Sequence, residues 1–278
     1  MLVRFHGVRG STPCHGDEIA RYGGNTSCVS VDVAGEDPLL FDLGTGLRYF
    51  GLSCPTGAPF RGSCLLSHLH WDHVQGLPFF GPLLHEDSEL VVYAPSEHDG
   101  RTAAEVLAAT ICPPLFPIGI DGFPGHVEVR EPSAKFRIGG FHVESARVPH
   151  VGEALGYRVT HGSRSVAYIS DHQQPVGGPR IADGVWGLCE GVDLLIHDAQ
   201  YTPAEFAKRS DWGHCTVEYA VWLAAEVGAR RLALYHHDPT HDDDMIDRLA
   251  AAASACGQAT GVEVFAAREG LTVELGPH

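Results

Sequence analysis

The sequence lacks three features that would place it in a specialised class of protein. Its eight cysteines include no Cys-x-x-Cys pair, which argues against both a small disulfide scaffold and a zinc-finger framework. No segment reaches the roughly 18 uninterrupted apolar residues expected of a membrane span. The N-terminus, MLVRFHGVRG, has no basic stretch followed by an apolar core of signal-peptide length. These absences predict a cytoplasmic protein with no membrane partner, whose cysteines are mostly reduced.

Basic residues are scarce as well. The chain has 19 Lys and Arg against 35 Asp and Glu, which gives a formal net charge of −16. Long-range repulsion raises the free-energy cost of approaching a polyanion, so extended nucleic-acid binding is disfavoured. A local basic cluster, for example around Arg230 and Arg231, is compatible with these totals. A small anionic substrate is compatible too, because metal cations can dominate the field inside a site.

No long polar, Ser-rich or charged segment divides the chain, and we find no internal repeat at a short fixed period. We therefore expect one domain over residues 1–278. Apolar runs predict strands at 2–8, 28–33, 39–43, 64–67, 90–93, 141–148, 155–159, 165–169, 194–196 and 231–235. Helical periodicity is clearest at 101–110, 216–227 and 242–253. The proline- and glycine-rich residues 111–125 predict an irregular loop.

The segment SHLHWDH at residues 67–73 carries most of the chemical information. It holds three histidines and an aspartate within six positions and follows a predicted buried strand. Residues two apart in an extended segment point to the same side, so His68 and His70 can converge on one ion. The turn beyond them can direct Asp72 and His73 to a second ion. A single histidine at a strand end is more often a hydrogen-bonded surface residue, but four ligand-type residues at this spacing favour a site for two metals.

This H-x-H-x-D-H pattern resembles the signature of the metallo-β-lactamase superfamily, and the resemblance covers residues 8 to about 244. It implies an α/β fold, the four-layer αββα sandwich, with metals at one edge. The family pattern continues with a lone histidine, a bridging aspartate and a final histidine at a strand end, for which His150, Asp171 and His236 stand in order. We prefer His236 to His237 because the family's final histidine follows its strand by the same one-residue step.

The resemblance assigns ligands to two divalent ions. The first ion is expected to bind His68, His70, His150 and Asp171. The second is expected to bind Asp72, His73, Asp171 and His236. The expected ions are Zn²⁺, with Mn²⁺ or Fe²⁺ as alternatives, because mixed histidine and carboxylate sets accept several metals. Three further histidines are ligand-capable neighbours that we expect to lie outside the ligand set: His172, His197 and His241.

Other residues distinguish branches of the superfamily. His70 favours a hydrolytic branch, because diiron oxidoreductases of this fold generally have glutamate there.

Two further segments resemble motifs of the branch that contains ribonuclease Z and the phosphoribosyl cyclic phosphodiesterases. They are DLLIHDAQY, with Asp198, and WGHCTVEYAVWLA, with His214, although Cys215 departs from that branch's His-Ser-Thr motif. We expect Asp198 to orient His214, which stabilises the transition state or protonates the leaving alkoxide. A purely structural pair is the alternative. Asp72 is expected to help hold the attacking hydroxide.

The expected function is that of a metal-dependent hydrolase, a phosphodiesterase acting on a small or cyclic phosphodiester through a dinuclear metal-bound hydroxide. The alternatives are a thioester or lactone hydrolase on the same site, a tRNA 3′-end endonuclease, and a metal-stabilised binding module without activity. The expected partner is a small anionic substrate. Nucleic acid is disfavoured because the chain is acidic and shows no long arm rich in glycine and basic residues. Assembly into a homodimer is left open.

Overall fold

The computed structural model describes residues 1–276, and these form two seven-stranded β-sheets. The first sheet contains β1 (Leu2–Gly7), β2 (Cys28–Asp32), β3 (Leu39–Phe41), β4 (Arg61–Leu65), β5 (Glu89–Tyr93), β6 (His126–Arg130) and β14 (Thr272–Glu274), in the spatial order β14-β1-β2-β3-β4-β5-β6. The second contains β7 (Lys135–Ile138), β8 (Phe141–Arg147), β9 (Leu155–His161), β10 (Arg164–Ile169), β11 (Leu194–Asp198), β12 (Arg231–Tyr235) and β13 (Glu263–Ala266), in the spatial order β13-β12-β11-β10-β9-β8-β7. The helices are α1 (Gly46–Ser53), α2 (Trp71–Val74), α3 (Ala103–Thr110), α4 (Asp183–Cys189), α5 (Pro203–Phe206), α6 (Val217–Glu226) and α7 (Asp243–Thr260).

The two sheets pack face to face through aromatic and aliphatic side chains. Phe41 of β3 stacks on Tyr168 of β10 with ring centroids 4.6 Å apart, in one buried cluster that draws residues from both sheets. Helices α1 and α3 cover the outer face of the first sheet, and α4, α6 and α7 cover that of the second. The layers therefore run helix, sheet, sheet, helix, and the predicted αββα fold is confirmed.

The continuous apolar runs of the strands follow from this layering. In β3, Leu39 and Phe41 face the core between the sheets, whereas Leu40 faces the helices outside. Successive strand residues point to opposite faces, so a strand covered on both faces is apolar at every position. Continuous runs of this kind, together with runs in which apolar and polar residues alternate, located all ten predicted strands.

The helices and remaining strands were predicted less completely. Helices α3, α6 and α7 are found where the periodicity placed them, but α7 continues to Thr260, beyond the expected end at Ala253. It stops at Gly261, whose φ of 81° is the left-handed conformation that glycine adopts at low cost. Residues 111–125 contain one 3₁₀ turn, at Ile120–Gly122, and are otherwise irregular as expected. Helices α1, α4 and α5 and strands β6, β7, β13 and β14 were not predicted. The expected domain boundary at residue 278 lies outside the described residues.

Parallel strands in each sheet bring several loops to one edge. Strands β3 to β6 run parallel to one another, as do β10 to β13. The loops after their carboxyl ends therefore meet, which is where open α/β sheets place their functional residues. Close backbone packing holds the end of α2 at this edge. A Cβ added to Gly76, which lies just after the helix, would be 1.9 Å from the carbonyl oxygen of Gly44, so the backbones can approach this closely only with glycine there.

No helix in residues 1–276 combines the length and the hydropathy needed to cross a bilayer.

His6 on β1 makes the stability of the fold dependent on pH. Its ring is buried, with Nε2 3.0 Å from Ser30 Oγ. Burial, assisted by the charge of Arg4, lowers the pKa of His6 from 6.5 to about 4. The unfolded chain binds a proton near pH 6.5 and the folded chain does not, so the free energy of unfolding falls as the pH drops through this window.

We expect a His6→Gln variant to lose less stability than the wild type between pH 7 and pH 5. The difference should be about 2 kcal/mol, which is the linkage free energy of such a pKa shift at pH 5. Urea unfolding at the two pH values measures it. The exposed-site variant His142→Gln should keep the wild-type slope; an equal slope in the His6 variant would contradict this assignment.

Candidate metal centre

The seven side chains that the sequence assigns as metal ligands lie together at the edge where the strand ends meet. They come from the loop after β4 and from α2, from the β8–β9 connection, and from the residues after β10 and β12: His68, His70, Asp72, His73, His150, Asp171 and His236. Five of the seven residues are buried. His70 is exposed and His150 is half-buried, although the side chain of His150 has no exposed surface. The folded chain thus gathers residues from four separate segments.

One group consists of His68, His70 and His150, whose ligand atoms all lie within 4.8 Å of one another. His150 Nε2 is 3.2 Å from His70 Nδ1. Asp171 Oδ1 lies 3.9 Å from Nε2 of both His68 and His150. These four residues are the set expected for the first ion.

A second group consists of Asp72, His73 and His236, with ligand atoms again within 4.8 Å. Asp72 Oδ2 is 3.3 Å from His73 Nε2 and 3.2 Å from His236 Nε2. Asp171 reaches this group as well, with Oδ2 3.3 Å from His73 Nε2 and Oδ1 3.5 Å from His236 Nε2. Its carboxylate therefore contacts both groups, as a bridging ligand must.

The donor atoms fit a metal site because several have no protein partner. His68 Nε2, His73 Nε2 and Asp171 Oδ2 are buried and form no hydrogen bond within the described residues. A buried polar atom left unpaired costs roughly 1–3 kcal/mol, and three of them converge here. Imidazole nitrogens and carboxylate oxygens are ligands that Zn²⁺ and similar divalent cations bind. A cation would satisfy all three atoms at once.

Asp42, at the end of β3, orients the second group. Its Oδ2 lies 2.7 Å from His73 Nδ1 and accepts a hydrogen bond of 2.7 Å from the Tyr168 hydroxyl. Both carboxylate oxygens also accept from Ser67, one from its backbone N–H and one from its hydroxyl. The contact at Nδ1 turns Nε2 of His73 towards the cluster, which is how partners of metal-binding histidines commonly act.

Two other rings are held in the same way. His236 Nδ1 is 2.9 Å from Gln200 Oε1, and His150 Nδ1 donates to the carbonyl oxygen of Gly213 at 2.8 Å. In each case the other ring nitrogen, Nε2, faces the cluster. Gln200 and Asp42 were not predicted from the sequence, because neither belongs to a ligand motif. The only local signal was that Asp42 directly follows an apolar strand.

Backbone strain is concentrated at this site. Within residues 1–276, three non-glycine residues have a left-handed φ: Ser11 (62°), Asp42 (58°) and His236 (59°). Each serves the cluster, since the Ser11 N–H donates to Asp72 Oδ2 at 2.7 Å. Such conformations cost on the order of 1–3 kcal/mol each and persist where the surrounding structure enforces them. Their coincidence here marks the functional region of the molecule.

Electrostatics keep the two carboxylates of the cluster ionised. Burial alone would raise the pKa of Asp171, but the neighbouring histidines, led by His236 and His73, hold it well below its usual range. The pKa of Asp72 is lowered in the same way against burial, chiefly by His73 and His236. Burial and the charge of His73 lower the pKa of His68, so its neutral, ligand-competent form is favoured.

Asp198 and His214 form a pair beside the cluster. Asp198 ends β11 and is fully buried, and its Oδ2 lies 3.0 Å from His214 Nδ1. Backbone N–H groups of His172 and Gln200 donate to the two oxygens of Asp198 and fix its orientation. His214 Nδ1 is 3.7 Å from Asp171 Oδ1. Burial opposes protonation of His214, but Asp198 above all raises its pKa.

The remaining ligand-capable residues lie outside the two groups. His172 and His197 pair with each other through ring nitrogens 3.0 Å apart, and His241 contacts Glu205 at 2.9 Å. His237 Nε2 is 2.9 Å from the carbonyl oxygen of Ala267, so its ring is engaged elsewhere. The Cys215 thiol donates to the carbonyl oxygen of Asp198 at 3.0 Å, which supports the loop that carries His214.

Known proteins share this sequence pattern and architecture. The family model described as "Beta-lactamase superfamily domain" matches residues 62–237, which is more than half of the chain. A ribonuclease Z from Natronomonas pharaonis is 25% identical over 323 aligned residues, covering 99% of this chain and 98% of the relative. The crystal structure of human tRNase Z, short form, aligns with a TM-score of 0.71 at 23% identity, covering 100% of each chain. A diphosphatase from the PhnP family aligns with a TM-score of 0.69 at 20% identity, covering 99% of this chain and 98% of the other.

The structural similarities show the shared fold, and the family model extends from β4 to the residues after β12 that carry the cluster. The expected superfamily, its fold and its hydrolytic character are thereby confirmed. Divalent metal ions are the cofactors that this family implies, in agreement with the donor set. The chain therefore belongs to the metallo-β-lactamase superfamily and is a metal-dependent hydrolase that resembles the ribonuclease Z branch.

Proposed function

We propose that the chain is a phosphodiesterase that hydrolyses a small or cyclic phosphodiester with two zinc ions. His68, His70, His150 and Asp171 would hold one ion, and Asp72, His73, Asp171 and His236 the other. The observation that carries the proposal is the contact of the single Asp171 carboxylate with both groups, beside the Asp198–His214 pair. Divalent cations in these positions would polarise a phosphoryl oxygen and supply a water molecule activated for attack at neutral pH.

The protein's own residues then divide the remaining work. The cluster side chains are held rigid by Asp42, Gln200 and Gly213, so little reorganisation is needed when a phosphate group enters. Asp198 fixes the ring of His214 through Nδ1, which leaves Nε2 to donate a proton to the leaving oxygen. An alkoxide needs such a proton to leave, because it is a strong base and therefore a poor leaving group at neutral pH.

Two alternatives differ in substrate. Cleavage at tRNA 3′ ends is suggested by the similarity to ribonuclease Z over 99% of the chain. The net charge of −16 opposes that substrate, because a long polyanion is repelled more strongly than a single phosphodiester. Hydrolysis of a thioester or lactone would use the same metals. A thioester is disfavoured because its thiolate leaving group does not need the acid that His214 provides. A lactone releases an alkoxide, so measured turnover has to separate it from a phosphodiester.

A substrate panel tests the proposal. We expect zinc-loaded protein to hydrolyse bis(p-nitrophenyl) phosphate and 2′,3′-cyclic nucleotides, and the EDTA-treated protein to lose this activity until zinc is restored. Initial rates are compared with those on a pre-tRNA, a thioester and a lactone. Cleavage of pre-tRNA without turnover of small diesters would establish the endonuclease instead, and turnover confined to thioesters or lactones would refute the phosphodiesterase.

The role of Asp42 in holding His73 leads to a second expectation. An Asp42→Asn variant retains the shape of the side chain but loses the charge that favours a proton on His73 Nδ1. Loss of such a supporting carboxylate typically reduces metal affinity about 10–100-fold. Competition with a chromogenic zinc chelator measures the affinity. The exposed-site variant Asp87→Asn controls for the change in net charge, and unchanged zinc affinity in the folded Asp42→Asn protein would contradict the role.

A further inference from the structure

Exposed apolar residues that the proposed hydrolysis does not use are chain neighbours of the metal centre. Three such residues are more than half exposed: Trp71 (53%), Val151 (51%) and Trp212 (60%). In the chain they are the direct neighbours of His70, His150 and Gly213, respectively. The ring of His150 contacts both the ring of His70 and the carbonyl oxygen of Gly213. The chain segments that carry these three residues therefore meet beside the cluster. Exposed large apolar groups beside a concave polar site commonly contact a ligand.

The turn that carries Trp212 is fixed relative to the cluster. The N–H of Gly213 donates to Gln173 Oε1 at 2.8 Å, and Gln173 Nε2 donates to the carbonyl oxygen of Ser210 at 2.7 Å. Gln173 is two residues after Asp171, so this one side chain connects both ends of the turn to the segment that carries Asp171. The exposure of Trp212 is therefore built into the fold.

A cation lies against the Trp212 ring. The guanidinium carbon of Arg209 is 5.4 Å from the centroid of the Trp212 ring and 5.5 Å from that of Tyr201. A contact of 3.0 Å with Asp238 Oδ2 holds the guanidinium there. The Tyr201 ring lies 5.6 Å from the ring of His214. Aromatic and cationic groups thus extend in a row from the exposed indole to the Asp198–His214 pair.

We infer that Trp212, backed by Arg209, is a stacking subsite for a nucleobase, and that the substrates are nucleotide phosphodiesters of mononucleotide size. An exposed indole with a guanidinium beside it binds planar heteroaromatic rings through stacking and cation–π attraction. The phosphate of the same ligand would lie in the neighbouring metal centre. The acidic chain disfavours a long polynucleotide, which limits the size of the ligand. The substrate assignment rests on the proposed phosphodiesterase function, but the ring-binding subsite does not.

Binding of two matched ligands tests the subsite. Isothermal titration of the zinc-loaded protein compares adenosine 5′-monophosphate with ribose 5-phosphate, which has the same phosphate and sugar but no base. We expect the base to tighten binding about tenfold or more, the effect of stacking one base on an aromatic side chain. Trp212→Ala should remove this difference by weakening only the adenosine ligand. Trp212→Phe, which keeps a flat ring, should retain most of it, and Trp186→Ala on α4 should bind like the wild type.

Other outcomes would overturn the subsite. These are equal affinity of the wild type for the two ligands, no measurable binding of adenosine 5′-monophosphate, and wild-type preference in Trp212→Ala. An equal loss for both ligands in Trp212→Ala would also overturn it, because that result describes a displaced loop. The assay requires no turnover, so a base-dependent affinity in a protein that hydrolyses no phosphodiester would refute the proposed function and leave the subsite standing.

Discussion

Replacing Asp171 by asparagine should reduce bound zinc below two ions per chain and lower kcat/KM for bis(p-nitrophenyl) phosphate by about 10²–10⁴. Metal ions in such a site stabilise the charge of the transition state by several kcal/mol, and losing part of this stabilisation lowers the rate by a factor in this range. Asp171 contacts both groups of donors and is almost fully buried. The amide has nearly the same shape but no negative charge, so neither group of histidines retains its shared anionic ligand.

Metal content by elemental analysis and thermal unfolding with and without EDTA separate loss of zinc from loss of fold. Bound metal stabilises the native state more strongly the tighter it binds, so EDTA should lower the Tm of the wild type much more than that of the Asp171→Asn protein. Asp87→Asn changes the same chemical group at an exposed position and should behave like the wild type. Two tightly bound ions and full turnover in the Asp171 variant would show that the bridging assignment is wrong.

The second large effect is expected for His214→Ala, and it should depend on the leaving group. With a 2′,3′-cyclic nucleotide, whose leaving group is an alkoxide, kcat should fall by about 10²–10⁴, the usual contribution of a positioned general acid. With bis(p-nitrophenyl) phosphate the nitrophenolate leaves without a proton, so the loss should be below about tenfold. Steady-state rates on the two substrates, with one zinc-loaded preparation of each protein, give the comparison.

The pair Asp198 and His214 offers a built-in check. Asp198→Asn should reproduce the leaving-group dependence with a smaller loss, because it removes the partner that orients the ring but keeps the imidazole. The exposed-site variant His142→Ala should leave both rates unchanged. If His214→Ala lowers the two rates equally and also lowers the Tm, the pair is structural and the acid must be found elsewhere.

Much of the fold could be predicted from the sequence because these strands have one or both faces buried. Their apolar residues are continuous or alternate with polar ones, and the runs are bounded by glycine, proline or aspartate, so ten strands could be located. Strands β6, β7, β13 and β14 were missed because they lie at or next to the sheet edges, where half-exposed residues break the run. Helix α1 was missed because aromatic and glycine residues in GLRYFGLS obscure the helical period.

The candidate ligands were also predictable, since their chemistry is local. Four of them lie in residues 68–73, and Asp171 and His236 each closely follow an apolar strand. The partners that orient them were not predictable. Asp42 and His73 are 31 residues apart, and the order of residues between them gives no hint that they touch. The same holds for Gln200, which lies 36 residues before His236.

The sequence by itself determined the layered fold, the metal-dependent class of chemistry and the candidate donors, because strand burial and ligand type are properties of short segments. Only the tertiary structure decided which donors face one another, since Asp72 and His236 meet across 164 residues through the parallel order of the strands. It also decided the orientation of the rings, the strained backbone at Ser11, Asp42 and His236, and the exposed position of Trp212. Each of these depends on contacts between distant segments, which form only when the two sheets pack and bring their strand ends to one edge.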